Sequence, residues 1–230
     1  MSPSAIPATP SPTTFLSAPQ KQLFPTAPRI LIIGAGSRGS AYARAALNST
    51  NSIISGVCEP VAYKRIEFGR KFIWGDTPAQ PAQEFRDWRD WVRYERSRRE
   101  RERAGEKVER GVDAVFVCVL DEMHEEVVAG IGGLDVHVCC EKPMSTSLGS
   151  CVAMWRALKG VGDKDVDAGV GERKETIFGI CHVLRYSPHN MLLRQLVRDK
   201  DVVGDVLSIE HVEPVGNWHF SHSYVRYVSP

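Results

Sequence analysis

The sequence predicts an α/β chain: a doubly wound parallel sheet with helices on both faces, followed by a short C-terminal α/β stretch. Three observations predict it. Apolar runs of strand length alternate with stretches of helical periodicity along the 230 residues,. One run, Val-Asp-Ala-Val-Phe-Val-Cys-Val-Leu at 112–120, is almost wholly apolar, as a strand covered on both faces must be,. The first run, Arg29–Ile33, passes directly into Gly34-Ala-Gly36-Ser-Arg-Gly39 and then into helical sequence at 40–47. A strand, a G-x-G-x-x-G turn and a helix in that order form the fingerprint of a dinucleotide-binding Rossmann unit.

Each glycine has a physical task. Gly34 permits the tight turn off the strand, Gly36 carries no side chain to hold a pyrophosphate off the backbone, and Gly39 lets the helix pack close to the strand. Ser37 and Arg38 lie inside the same turn, where unpaired N–H groups at the helix's positive end can take the phosphates,. Glu59 stands twenty residues past Gly39, at the end of a second apolar run at 53–58. That is where a Rossmann unit places the carboxylate that accepts ribose hydroxyls and repels a 2′-phosphate, so NAD is expected over NADP. Lys64 and Arg65 are the nearby cations that could offset this preference.

The remaining elements follow in order. Pro60 opens a helix to about Phe72, and 75–81 is a loop. Residues 84–103 read as one charged helical insertion with Phe85, Trp88, Trp91 and Val92 at helical spacing. Its later part alternates acids and arginines, which suits a solvated helix supported by i,i+4 pairs. A nucleic-acid-binding helix would not interleave so many glutamates. After the 112–120 strand, Asp121 can cap a helix. Residues 134–140 form the next strand and run into Glu141-Lys142-Pro143. Ser145 or Thr146 starts a helix to Lys159, and 161–174 is a Gly/Asp-rich loop. A strand at 177–183, a helix at 188–198 and an alternating strand at 204–212 complete the pattern.

Composition narrows the function classes. Lys plus Arg number 29 against 28 acids, for a net charge of +1, so nothing indicates a nucleic-acid partner,. No apolar run is long enough to span a membrane. The first 28 residues are rich in Pro, Ser, Thr and Ala, lack the apolar core of a secretory signal, and read as a disordered tail,. None of the six cysteines forms a C-x-x-C pair, which implies reduced thiols in a cytoplasmic protein, with no metal site,. The domain expectation is a tail at 1–28, a nucleotide-binding domain at 29–182 and a partial second domain at 183–230.

In a parallel sheet the ligand lies at the carboxyl ends of the strands. Residues 34–39, Glu59, the segment from Leu120 to His124 and the tripeptide Glu141-Lys142-Pro143 all fall at such ends. The succession GAGSRG, CEP, DAVFVCVLDEMH and HVCCEKP resembles the glucose–fructose oxidoreductase and inositol dehydrogenase family, Gfo/Idh/MocA, over about 29–226, with E-K-P its most specific part. The resemblance implies a Rossmann domain, then an α/β domain with a mainly antiparallel sheet. It also implies NAD(P)-dependent hydride transfer on sugars, polyols or related carbonyl compounds.

By position, Lys142 resembles the family's active-site lysine, and Glu141 the residue near the nicotinamide ribose. His124 resembles a histidine recurrent after the fourth strand, and Arg185 and Tyr186 a segment facing the nicotinamide, hence the substrate. The chemistry fits independently: an ammonium beside the reacting oxygen stabilises an alkoxide, and a lysine in an apolar crevice can pass a proton. Family members usually run longer and carry a histidine in a G-x-H-x-x-D segment. His219 and His222 lack that context, so the resemblance implies a chain cut short in its second domain. Dinucleotide binding is then expected to exceed turnover. A binding module without catalysis, or a partner subunit of a longer homologue, is the alternative, and homo-oligomerisation is expected only of a full-length form.

Overall fold

The sheet is built outward from its most apolar strand. In the computed structural model, which describes residues 21–159, 175–199 and 202–217, β1 (Arg29–Ile33) is flanked by β2 (Ile53–Cys58) and β4 (Ala114–Val117). Beyond them lie β3 (Glu84–Phe85), β5 (His137–Cys140) and β6 (Phe178–Ile180). The order is β3-β2-β1-β4-β5-β6 and every pairing is parallel. This is the doubly wound order, with its topological switch between β1 and β4.

Strand alternation sorts the core into two layers. Ile30 and Ile32 of β1 face Ala43 of α1 (Ser37–Ser49) and Phe68 of α2 (Ala62–Phe72). Leu31 and Ile33 face the other way. They meet Trp88 and Trp91 of α3 (Trp88–Arg103), Val127 and Ile131 of α4 (His124–Ile131), and Met154 of α5 (Leu148–Lys159). Complete burial of side chains such as Leu31, Ile32 and Val117 contributes about 1.5–3 kcal/mol each,.

The charged stretch departs most from expectation. It does not read as one helix: Glu84–Phe85 forms the edge strand β3, and α3 is the crossover that carries the chain to β4. Asp87 caps α3 by accepting the Arg89 N–H at 2.7 Å. Nor is the charged part solvated throughout, because Glu95 is 1% exposed and Arg98 6%. The helical period carries the Trp88–Trp91–Val92 stripe onto these two residues. The Arg98 guanidinium grips Glu95 through Nε and Nη2 at 2.8 and 2.9 Å. The chain after α3 folds back over the pair, and Arg98 also donates to the Glu109 carbonyl.

Other differences are local. Asp121 starts a short 3-10 turn (Asp121–Met123) whose N-cap, Leu120, makes no side-chain cap. Ser147, rather than Ser145 or Thr146, receives the Ser150 N–H ahead of α5. Within the expected tail, Gln22 donates to the Ser49 carbonyl and Phe24 to Asn51, so 22–24 are tied to the end of α1. Residues 1–20 and the 161–174 loop lie outside the described residues.

The chain divides into two compact units, Met1–His182 and Val183–Pro230. In the second, Ser187 accepts the Asn190 N–H at the start of α6 (Pro188–Arg194), which continues as a π-helix over Gln195–Asp199. The strand expected at 204–212 does not form. Leu207 is 96% exposed and Ile209 80%, and among the described residues nothing pairs with their backbone. Alternation prepares a strand, but only a partner's N–H and C=O groups make one.

Candidate active site

The carboxyl ends of the strands are stitched into one row. Glu59 N–H donates to Phe85 O, Gly34 N–H to Cys58 O, Cys118 N–H to Ile33 O, Glu141 N–H to Val117 O and Cys181 N–H to Cys140 O, at 2.7–3.1 Å. Residues from six separate stretches of sequence thereby share one edge.

At its centre the glycine turn has three distinct geometries. Gly34 has φ +98°, and a Cβ there would meet the Cys118 carbonyl oxygen at 2.5 Å, so only glycine fits,. A Cβ on Gly39 would strike the Gly34 oxygen at 2.1 Å, which is the close helix–strand approach. Gly36 is different: nothing of the protein lies within 4 Å of its absent Cβ. It is also the N-cap of α1, with no side-chain cap and no acid in the first turn. The positive helix end therefore opens on a cradle that a Cβ would fill, which fits a pyrophosphate. Ser37 and Arg38 begin the helix there, and Arg38 is exposed.

Glu59 sits in the expected place but is already engaged. One carboxylate oxygen accepts the Ala35 N–H at 2.9 Å, the other the Val61 N–H at 3.0 Å, and the residue is 7% exposed. It braces the glycine turn. Arg65 does not offset its charge toward an outside phosphate: it is buried, bonded to Glu84 and to the Glu59 carbonyl. Lys64 is exposed.

Glu141 is likewise buried. It accepts the Tyr42 hydroxyl on one oxygen and the Lys142 N–H on the other, at 3.0 Å for the latter. Burial and the Glu141 carboxylate push the Tyr42 phenol well above its ordinary pKa, so it remains a donor,. Tyr42, on α1, is the site residue that sequence reasoning missed. No motif marks it, because only tertiary packing brings the second turn of α1 against β5. Lys142 is exposed rather than held in an apolar crevice, and Pro143 follows it through a cis peptide.

His124 stands at the start of α4. It is fully buried, with Nδ1 2.9 Å from the Pro143 carbonyl and Nε2 3.3 Å from that of Val119. Both nitrogens face carbonyl oxygens, and the ring N–H donates to one of them, between the tripeptide loop and the end of β4,. Leu120, half-exposed, starts the neighbouring turn. Arg185 and Tyr186 belong to the second unit, on the turn Val183–Tyr186, and both are exposed there.

Residues 28–167 match the family described as an oxidoreductase family with an NAD-binding Rossmann fold, Gfo/Idh/MocA. The chain belongs to this family. The matched stretch covers the NAD-binding Rossmann fold by which that family is described. Solved structures share the fold. Myo-inositol 2-dehydrogenase from Lactobacillus plantarum superposes with TM-score 0.57 at 16% identity, over 79% of this chain and 43% of that one. Levoglucosan dehydrogenase, solved with NADH and levoglucosan, gives 0.57 at 17%, over 79% and 42%. A probable dehydrogenase from Thermotoga maritima gives 0.56 at 20%, over 76% and 42%. The chain thus spans less than half the length of these Gfo/Idh/MocA structures. No helix among its described residues is long and apolar enough to cross a membrane.

Proposed function

We propose that this chain binds NAD(H) across the carboxyl edge of its sheet and serves hydride transfer to or from a sugar, a polyol or a related carbonyl compound. The observation that carries the reading is the open cradle at Gly36, set on an uncapped helix N-terminus between Glu59 and the Glu141–Lys142 loop. When bound, the nicotinamide accepts or supplies the hydride. The protein's own residues orient and polarise. Backbone N–H groups of the glycine turn take the pyrophosphate. Glu59 sets the negative potential that favours a free 2′-hydroxyl over a 2′-phosphate. Glu141, fixed by Tyr42, holds the backbone of Lys142 in place, and the Lys142 ammonium stabilises charge on the substrate oxygen. Arg185 and Tyr186 contact substrate by family resemblance.

The test is a fluorescence titration with NADH and NADPH. Wild-type protein is expected to bind NADH more tightly. Gly36→Val should lose roughly tenfold or more in affinity, about 1.4 kcal/mol, while its circular dichroism stays unchanged. Unaltered affinity in that variant, or tighter NADPH binding, refutes the respective assignment. Lys142→Met should retain binding and lose turnover on a polyol panel by roughly 10²-fold or more.

A further inference from the structure

Two thiols at the far end of the same edge have no part in that reading. Cys139 is on β5 and Cys181 just beyond β6, and their sulfurs are 3.1 Å apart. Parallel pairing produces the approach. Cys139 lies opposite Gly179, and Cys181 is two residues further along the same face,. The neighbouring Cys140 sits in the layer with Val117 and Val138, on the opposite face of the sheet. Cys139, opposite Phe116 in register, shares its face with Tyr42, whose ring meets Phe116 edge-on. A disulfide needs about 2.05 Å between sulfurs, so closure requires a movement of about 1 Å. All six cysteines are free thiols in this structure.

We propose that Cys139 and Cys181 are a redox pair, closed to a disulfide by a hydroperoxide and reopened by a small dithiol. The two sulfurs are unequal. The Cys139 thiol, donating to Cys181, and then the Tyr42 hydroxyl pull the Cys181 thiol down to about 7 against the effect of burial. Cys139 is pushed upward, first by the same hydrogen bond. Cys181 is therefore the attacking thiolate and Cys139 the resolving thiol.

In the first step, the Cys181 sulfur attacks the peroxide. An S–O bond forms, the O–O bond breaks, and the alcohol or water leaves with a proton. In the second, the Cys139 sulfur attacks the sulfenic sulfur. The S–S bond forms, the S–O bond breaks, and water leaves with the Cys139 proton. Two thiols and one peroxide give one disulfide, one alcohol (or water) and one water. A dithiol reverses the change by exchange, and is itself oxidised to its disulfide.

The experiment uses the native full chain treated with hydrogen peroxide, then alkylated and analysed by intact mass and peptide mapping. Wild-type protein should lose about 2 Da, map to a single Cys139–Cys181 peptide pair, and recover on adding dithiothreitol. Its rate of closure should be half-maximal near pH 7, the Cys181 value. Cys139→Ser should instead give a dimedone adduct on Cys181, whereas Cys181→Ser should leave Cys139 unreacted at the same peroxide dose. No mass loss, a different pairing, or a rate still rising towards pH 9 in the wild-type chain would overturn the proposal without reference to either variant's folding. No step requires cofactor, so failure of NADH to bind leaves this result standing, and failure of closure leaves the cofactor reading standing.

Discussion

Two stretches of this chain reverse the usual assignment of inside and outside. The second half of α3 is almost wholly charged, yet Glu95 and Arg98 are buried within it. Residues 206–212 intersperse Val206, Leu207, Ile209 and Val212 with polar residues, yet Leu207, Ile209 and Val212 stand in solvent. The difference lies in what each meets. Glu95 has two arginine partners and a returning chain segment that shuts out water. The apolar stretch meets no paired strand among the described residues. Polarity of a side chain sets the cost of burial; the presence of a partner decides whether burial happens.

The comparison is broken most severely at Glu95. Glu95→Ala leaves the buried Arg98 with only the exposed Glu102 as counter-charge and takes the partner from Arg99. It is expected to cost about 3–5 kcal/mol, read as a lowered urea midpoint. Glu95→Leu with Arg98→Met sharpens the point. Removing both charges together should recover most of that loss, since a buried ion pair and a packed apolar pair are near-equivalent in stability. A double variant as unstable as Glu95→Ala would mean that packing, not charge pairing, dominates there.

Glu102→Ala touches the exposed end of the same network, where Glu102 is 59% exposed against a 7% exposed Arg98. Its effect should stay below about 1 kcal/mol. Smallest of all, Leu207→Ser should shift the denaturation midpoint by no more than about 0.5 kcal/mol equivalent, because there is no contact to lose. A large loss from that substitution would show that 204–212 has acquired a partner in solution.

Much of the site was legible before any coordinates. The spacing from Gly34 to Gly39, the carboxylate at Glu59 and the tripeptide at 141–143 each sit at a strand's carboxyl end, and a parallel sheet brings such ends together by topology alone. The helices α1 and α2 followed from periodicity, whereas β4, β5 and β6 are shorter than the apolar runs that contain them and α3 begins only at Trp88,. What could not be read were the hydrogen-bond partners. Glu59 braces Ala35 and Val61, His124 lies between two carbonyls, and Tyr42 reaches Glu141 across 99 residues of sequence.

By itself, then, the sequence determined the parallel α/β order, the glycine turn and the identity of the residues gathered at the sheet's edge. These depend on local periodicity and on backbone conformations that particular residues allow. Tertiary structure alone decided that a charged helix is a core crossover, that an alternating stretch is not a strand, and that Cys139 lies against Cys181. Each of those depends on a neighbour remote along the chain, and neither period nor propensity carries the position of that neighbour.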